Sequence, residues 1–253
     1  MPERVNCASQ GGPLRSIAMI AKRSDGALNL IFDADDTLWD SNIHFLEAEA
    51  AFVEKLGGAG ISDDREIRSA MRRHELRIIE SHGYGRRPYL MALHKVAEEL
   101  AHPRHHGNLR AEVERIGERL IDRHCELLPG VAATLGELAR RHRLLLFTKG
   151  DPGEQLRKLD RSGLRPLFKR VGVPAEKDPA NYRLLIAQAE LDPSRTFMIG
   201  NSPRSDINPA LRAGLRAVFI PHPHTWELEH EEIDHADERV TVITAFPHLL
   251  EVF

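Results

Sequence analysis

Leu30-Ile31-Phe32-Asp33-Ala34-Asp35-Asp36-Thr37-Leu38-Trp39-Asp40 is the stretch on which the fold turns. An apolar run stops at three acidic residues within four positions, followed by a Thr. The hydrophobic residues from Leu28 to Phe32 suit a buried strand, which places Asp33 where that strand leaves its sheet. In open α/β sheets ligands bind at this carboxyl edge. Asp33 and Asp35 lie two apart, so continuing extended backbone points both side chains the same way. Crowded carboxylates repel unless a cation or a shared proton compensates. Mg2+, a hard ion that prefers oxygen ligands, is the natural partner. A competing reading is an Asp-rich turn that caps a helix at Thr37 or Ser41.

Downstream, the periodicity becomes helical. Phe45, Ala48, Phe52, Val53 and Leu56 recur at helical spacing until Gly57-Gly58. A second helix opens at Ser62, carries Ile67, Met71, Ile78 and Ile79, and ends near Gly83. A third is expected over about 88–100, and a fourth carries Leu109, Val113, Ile116, Leu120 and Ile121. No strand signal interrupts this block. Leu128-Pro129-Gly130 punctuates the chain. Strands are then expected at 144–147, 169–173, 196–199, 217–220 and 240–243, with helices at 131–141, 152–162, 179–190 and 246–252. With the first strand at 27–32, this alternation implies an α/β fold, a doubly wound parallel sheet with helices on both faces. The acidic run 227–232 reads as a solvated helix face, and residues 1–25 as a mobile tail with a short helix around 16–21.

Bulk properties exclude several classes. The 253 residues are 42% apolar, enough for a large core, and carry a formal charge of -3. That balance offers no basic surface for nucleic acid or an anionic membrane. No stretch approaches the ~20 apolar residues of a membrane span. The start lacks a signal peptide, and two cysteines, Cys7 and Cys125, fit a reducing compartment, so a cytoplasmic protein is expected. Fourteen histidines are more than usual, but none has zinc-site spacing to a Cys or acidic partner, so they read as surface or loop residues.

Four segments in order carry a family resemblance. Asp33-Ala34-Asp35-Asp36-Thr37-Leu38 resembles the first motif of the haloacid dehalogenase-like hydrolases, Asp-x-Asp-x-Thr-Leu/Val, with Asp36 where the family most often has Gly. Leu146-Phe147-Thr148-Lys149-Gly150 resembles the second, a hydrophobic strand ending in Thr or Ser. Glu176-Lys177-Asp178-Pro179 resembles the third, a Lys just before a helix beginning with Pro. Gly200-Asn201-Ser202-Pro203-Arg204-Ser205-Asp206 resembles the fourth, Gly-Asp-Ser-x-x-x-Asp, with Asn201 in place of a metal-ligating Asp.

The resemblance implies a Rossmann-like core at 26–40 and 126–253 and a smaller all-helical cap at 41–125. It implies a phosphatase acting on a small phosphorylated metabolite. Asp33 would be the nucleophile and Asp35 the general acid and base. Thr148 and Lys177 would bind the substrate phosphate, and Asp33, Asp35, Asp206 and Asn201 would hold Mg2+. Lys149 is a further phosphate-binding candidate. A metal-free dehalogenase is the nearest alternative, though such enzymes generally lack the second Asp of the first motif. A non-catalytic phosphoryl-binding or signalling module is another. Arg72, Arg73, His82, Tyr84, Arg86 and Arg87 are candidates to read the leaving group from the cap, though most of them read as ordinary surface charges.

Overall fold

The computed structural model describes residues 26–61, 63–122 and 125–253. The tail expected at 1–25, Cys7 and Ser62 lie outside the described residues. Six strands form one sheet: β1 Asn29–Phe32, β2 Arg143–Phe147, β3 Arg170–Gly172, β4 Thr196–Gly200, β5 Arg216–Phe219 and β6 Val240–Val242. Their order is β3-β2-β1-β4-β5-β6, and every pairing is parallel. Phe32 in the central strand is in register with Leu146 on one side and Ile199 on the other.

Period-two alternation along the strands supplies two hydrophobic faces. Leu30, Phe32, Leu146 and Ile199 face one side, where they meet Leu135, Leu138, Leu159 and Leu249. Ile31, Leu145 and Met198 face the other and meet Tyr182, Leu185 and Leu215. Both faces are covered, so the sheet is doubly wound, as the alternating pattern predicts. The strand and helix limits differ from expectation by one to three residues, the closing helix beginning with a 3-10 turn at Phe246–His248 before Leu249–Val252.

After β1 the chain leaves the sheet for a layer of four helices, α1 Asn42–Gly58, α2 Asp64–His82, α3 Arg86–Leu100 and α4 His106–Asp122. They bury a cluster of their own, in which Phe52, Leu56, Ile67, Leu93, Val96, Val113 and Ile116 have no exposed surface. Each such side chain contributes roughly 1.5–3 kcal/mol, so the helices hold one another without leaning on the sheet. Local signals fix their ends: Asp63 caps α2 by accepting from the Arg65 and Glu66 N–H groups, and Gly83 ends it at φ 71°. The chain enters and leaves this layer side by side. Leu128 N–H donates to Leu38 O at 2.9 Å and Asp40 N–H to Glu126 O at 3.3 Å.

The remaining helices, α5 Val131–Arg141, α6 Pro152–Arg161, α7 Pro179–Ala189, α8 Asn208–Arg212 and α9 Leu249–Val252, flank the sheet. Asp151 and Asp178 cap α6 and α7 through N–H groups three residues on, each followed by a Pro at the first helical position. One expectation fails. Residues 227–232 are not a solvated helix face: a single 3-10 turn, Glu227–Glu229, turns Glu229 inward, where Lys149 holds it at 2.7 Å. No helix among the described residues is long and apolar enough to cross a membrane.

Candidate active site

The chain runs outward from β1 to β3, then returns to lay β4 on the other side of β1. The carboxyl ends of β1 and β4 therefore flank the point where strand order reverses, and a crevice opens there. Asp33 follows β1, with its N–H donating to Ile199 O at 2.9 Å. Thr148 follows β2 and Asn201 follows β4. Asp33, Asp35, Thr148, Lys177, Asn201 and Asp206 all line one cleft of about 220 Å3.

At its floor Lys177 donates to both Asp33 and Asp206, at 2.6 Å for Asp206, and all three side chains are buried. Asp178 and Pro179 start α7 immediately after Lys177, which explains why a loop lysine is held so firmly. Burial pushes Asp206 up to about 7 against the attraction of Lys177, and nearby Asp33 adds repulsion. Burial likewise raises Asp33, with Lys177 opposing. Although burial opposes its charge, Asp206 and Asp33 together hold Lys177 protonated above its ordinary value. Two carboxylates share one ammonium, so the ionised floor is one positive charge short. Its donors are hard oxygens, which suits a small divalent cation.

Gly200 makes this arrangement possible. A Cβ there would sit 2.5 Å from Cγ and 2.8 Å from Cβ of Asp206. The π-helical turn Pro203–Ile207 then swings Asp206 back onto the strand end, where Ser202 N–H donates to it at 2.9 Å. Asn201 is engaged at both ends of its amide. Its Oδ1 accepts from the Thr37 hydroxyl at 3.0 Å and its Nδ2 donates to Thr225 at 2.9 Å. Thr37 also lies 3.1 Å from Asp33, so Asn201 ties the first motif to the loop after β5.

Asp35 lies in the cleft but is turned toward α6. Its carboxylate accepts from Trp39 Nε1 at 2.7 Å, Gln155 Nε2 at 2.8 Å and Lys158 Nζ at 2.8 and 3.0 Å. Burial alone would raise it, but Lys158, Gln155 and Trp39 outweigh burial and hold it below its ordinary value. No sequence pattern signalled Gln155 or Lys158, because their partner lies 120 or more positions away.

Asp36 explains its own departure from Gly. Its φ is 58°, the left-handed region that Gly adopts freely, at a cost for Asp of order 1 kcal/mol. In return its carboxylate accepts from Ser41 N–H at 2.8 Å and Asn42 N–H at 3.1 Å, closing the start of α1. The capping role considered for the acidic stretch thus falls to Asp36 alone. Burial pushes Asp36 up to about 7 against the Ser41 N–H, with Asp35 adding repulsion. His222 stands beside it, 3.8 Å from Asp36 and 3.2 Å from Asp40. The sequence showed no acidic partner for this histidine because the loop after β5 supplies the meeting in space. His222 is satisfied by Asp40 and by the His224 N–H at 3.3 Å, and this trio is separate from the Asp33–Asp206 floor.

Lys149 forms a bridge. Its Nζ lies 2.7 Å from Glu229, 3.2 Å from Ser205 Oγ and 4.1 Å above the Tyr84 ring. Burial would raise Glu229, but Lys149 and Ser202 hold it below its ordinary value. Of the six residues proposed to read the leaving group, Tyr84 lines the cleft. Arg72 and Arg73 instead pair with Glu227 and Glu99, and Arg86 approaches Glu154 at 3.7 Å. Trp226, from the loop after β5, stands 6.1 Å from Tyr84 and lines the same cleft.

A parallel doubly wound sheet with aspartates, a threonine and a lysine gathered at its switch point defines a class of α/β hydrolase. The haloacid dehalogenase-like hydrolase model matches residues 29–214, and the chain belongs to that family. A haloacid dehalogenase-like family hydrolase from Xanthomonas campestris is 30% identical with a TM-score of 0.72, over 83% of this chain and 88% of that one. Phosphoserine phosphatase of Thermus thermophilus is 34% identical over 39% of this chain and 42% of its own length. Glyceraldehyde 3-phosphate phosphatase of Pyrococcus furiosus is 28% identical over 49% and 53%. The chain thus spans about half the length of the curated relatives it matches.

Proposed function

We propose that the protein is a Mg2+-dependent phosphatase of small phosphorylated metabolites. The observation that carries this reading is the buried Asp33–Lys177–Asp206 floor at the carboxyl edge of the sheet, with Thr148 and Asp35 opening onto the same cleft. Phosphatase relatives support it further. The cytoplasmic setting is supported by the low cysteine content.

In the first step an Asp33 oxygen attacks phosphorus in line and the ester P–O bond breaks, leaving an aspartyl phosphate. The departing oxygen takes a proton from Asp35. In the second step Asp35 removes a proton from water, whose oxygen attacks the same phosphorus. The Asp33–phosphorus bond then breaks and phosphate leaves. Lys177 and the Thr148 hydroxyl stabilise the transferring phosphoryl oxygens. Because Lys158 keeps Asp35 ionised in the structure, the acid step requires Asp35 to exchange this partner for a proton as the ester binds.

Asp33 and Asp206 fit Mg2+ by charge and oxygen chemistry, with Asn201 and Asp35 as neighbouring oxygen donors. Bound there, the ion would neutralise charge on the phosphoryl group. We assign residues 26–40 and 126–253 to the catalytic core and 41–125 to a cap that covers it, the separate core of α1–α4 being the support. Phosphate release from p-nitrophenyl phosphate, with Mg2+ and with chelator, tests the proposal. Mg2+-dependent release that Asp33→Asn abolishes is expected. Release that persists in Asp33→Asn, or none from any phosphomonoester, would overturn it.

A further inference from the structure

We propose that Glu75 selects phosphomonoesters whose leaving group carries a cationic amine on a short apolar body. This rests on the phosphatase reading above and names the class of ester the same cleft accepts.

The wall of the cleft opposite the catalytic edge comes from α1, α2, α3 and the loop before α3. Its apolar part is aromatic: Phe45 and Tyr89 meet edge to face at 5.0 Å, and Tyr84 stands edge-on to Trp226. The Tyr89 hydroxyl donates to Phe45 O at 3.3 Å. Among the described residues, this helical layer places no Lys, Arg or His on the cleft wall. The cations that do line the cleft come from the sheet side and are matched. Lys149 meets Glu229, Lys158 meets Asp35, and Lys177 meets Asp33 and Asp206.

The acidic groups are matched too, with one exception. Glu49 pairs with Arg68, Glu154 accepts from Arg86 N–H at 3.1 Å, and Glu229 holds Lys149. Glu75 has neither a hydrogen bond nor an ion pair among the described residues. Arg72, one turn earlier on α2, is drawn away to Glu227 at 2.6 Å. A carboxylate left unpartnered beside aromatic surface is costly to ionise, and burial pushes Glu75 up to about 7 with Arg72 opposing. An ammonium entering the cleft supplies the missing partner and makes a charge-assisted hydrogen bond. The neighbouring rings favour the cation and its methylenes. A leaving group bearing a second phosphate or carboxylate would meet Glu75 and Glu49 and be repelled.

The test compares kcat/KM for ω-aminoalkyl phosphates, from ethanolamine phosphate upward, with alkyl and carboxyalkyl phosphates of matched length. At one chain length or more, the wild type should favour the amine over its alkyl isostere by about tenfold or more, through KM, with the carboxylate last. Glu75→Gln should bring the amine-to-alkyl ratio close to one, and Glu75→Asp should retain much of it. Release from all three series with no preference for the amine at any length would overturn the inference and leave the phosphatase reading standing. Release from none of them, nor from p-nitrophenyl phosphate, would overturn that reading and the inference together. The wild-type ranking decides the matter even if a variant does not fold, and an unchanged ratio in folded Glu75→Gln would also overturn it.

Discussion

Replacing Lys177 with Met removes the one ammonium that two buried carboxylates share while filling most of its volume. Asp33 and Asp206 would then face each other with Thr37, the Ala34 N–H and the Ser202 N–H as remaining donors. Removing one partner of a buried ion pair costs about 3–5 kcal/mol. For a protein of this size that corresponds to roughly 6–20 °C in Tm. The pH dependence follows from the direction of the shifts. Both carboxylates already sit above their ordinary value of 3.8, Asp206 at about 7, and losing Lys177 raises them further. A carboxyl raised in the folded state binds its proton more tightly there, so stability falls as pH climbs from about 4 through 7 and beyond. The deficit of Lys177→Met should therefore be small near pH 4.5 and largest near pH 8. Mg2+ should stabilise the variant by about 2.7 kcal/mol at a hundred times its Kd, and by more than it stabilises wild type, because the variant's floor carries the larger negative charge. Thermal unfolding of both proteins at the two pH values, with Mg2+ and with chelator, measures each quantity. A deficit that does not change with pH, or a variant that Mg2+ stabilises no more than wild type, would show that Lys177 is not the shared counter-charge of Asp33 and Asp206.

Asp35→Asn should lower turnover by about 10²–10⁴-fold, more for alkyl than for nitrophenyl phosphates, because poor leaving groups need the proton. Equal losses in a leaving-group series would count against the acid role. Gly200→Ala should drive Asp206 off the strand end, costing about 1–3 kcal/mol in urea unfolding and weakening Mg2+ activation; an unchanged activation constant would show that Asp206 does not hold the ion. Glu75→Gln should raise stability by up to about 3 kcal/mol at pH 8, with little change near pH 4.5. Glu75 titrates at about 7 instead of 4.5, so its ionisation in the folded state is what costs stability as pH rises. Equal Tm values for the two proteins at pH 8 would contradict this.

The sequence announced the fold where its signals were local. Leu30–Phe32 read as a doubly buried strand, Asp178-Pro179 marked a helix start, and Gly57-Gly58 and Gly83 marked helix ends. The four motif segments pointed to Asp33, Thr148, Lys177, Asn201 and Asp206, which share one cleft because each follows a parallel strand or opens a helix at the same sheet edge. What stayed hidden depends on chain crossings. Lys158 and Gln155 reach Asp35 from a different βα unit, and Glu229 reaches Lys149 from 80 positions away. The acidic run 227–232 looked solvated because composition does not reveal that one of its carboxylates turns inward. Arginines of the helical layer could have met a substrate anion or served as ordinary surface charges, and Arg72 and Arg73 are committed to surface carboxylates. Which charges on a helix face water and which face a cleft is decided by packing between layers, and periodicity alone does not resolve it.

In the proposed mechanism Asp33 carries the phosphoryl group between two steps. The most direct measurement is an acid quench of the wild type during turnover of p-nitrophenyl phosphate with Mg2+, followed by peptide mass spectrometry. A good leaving group speeds the first step, so the covalent species should accumulate before water consumes it. The peptide spanning Asp33 should gain the mass of one phosphoryl group, and the gain should vanish in Asp33→Asn. Phosphate released at full rate with that peptide unmodified at every quench time, or with the phosphoryl group on another residue, would rule Asp33 out as the carrier.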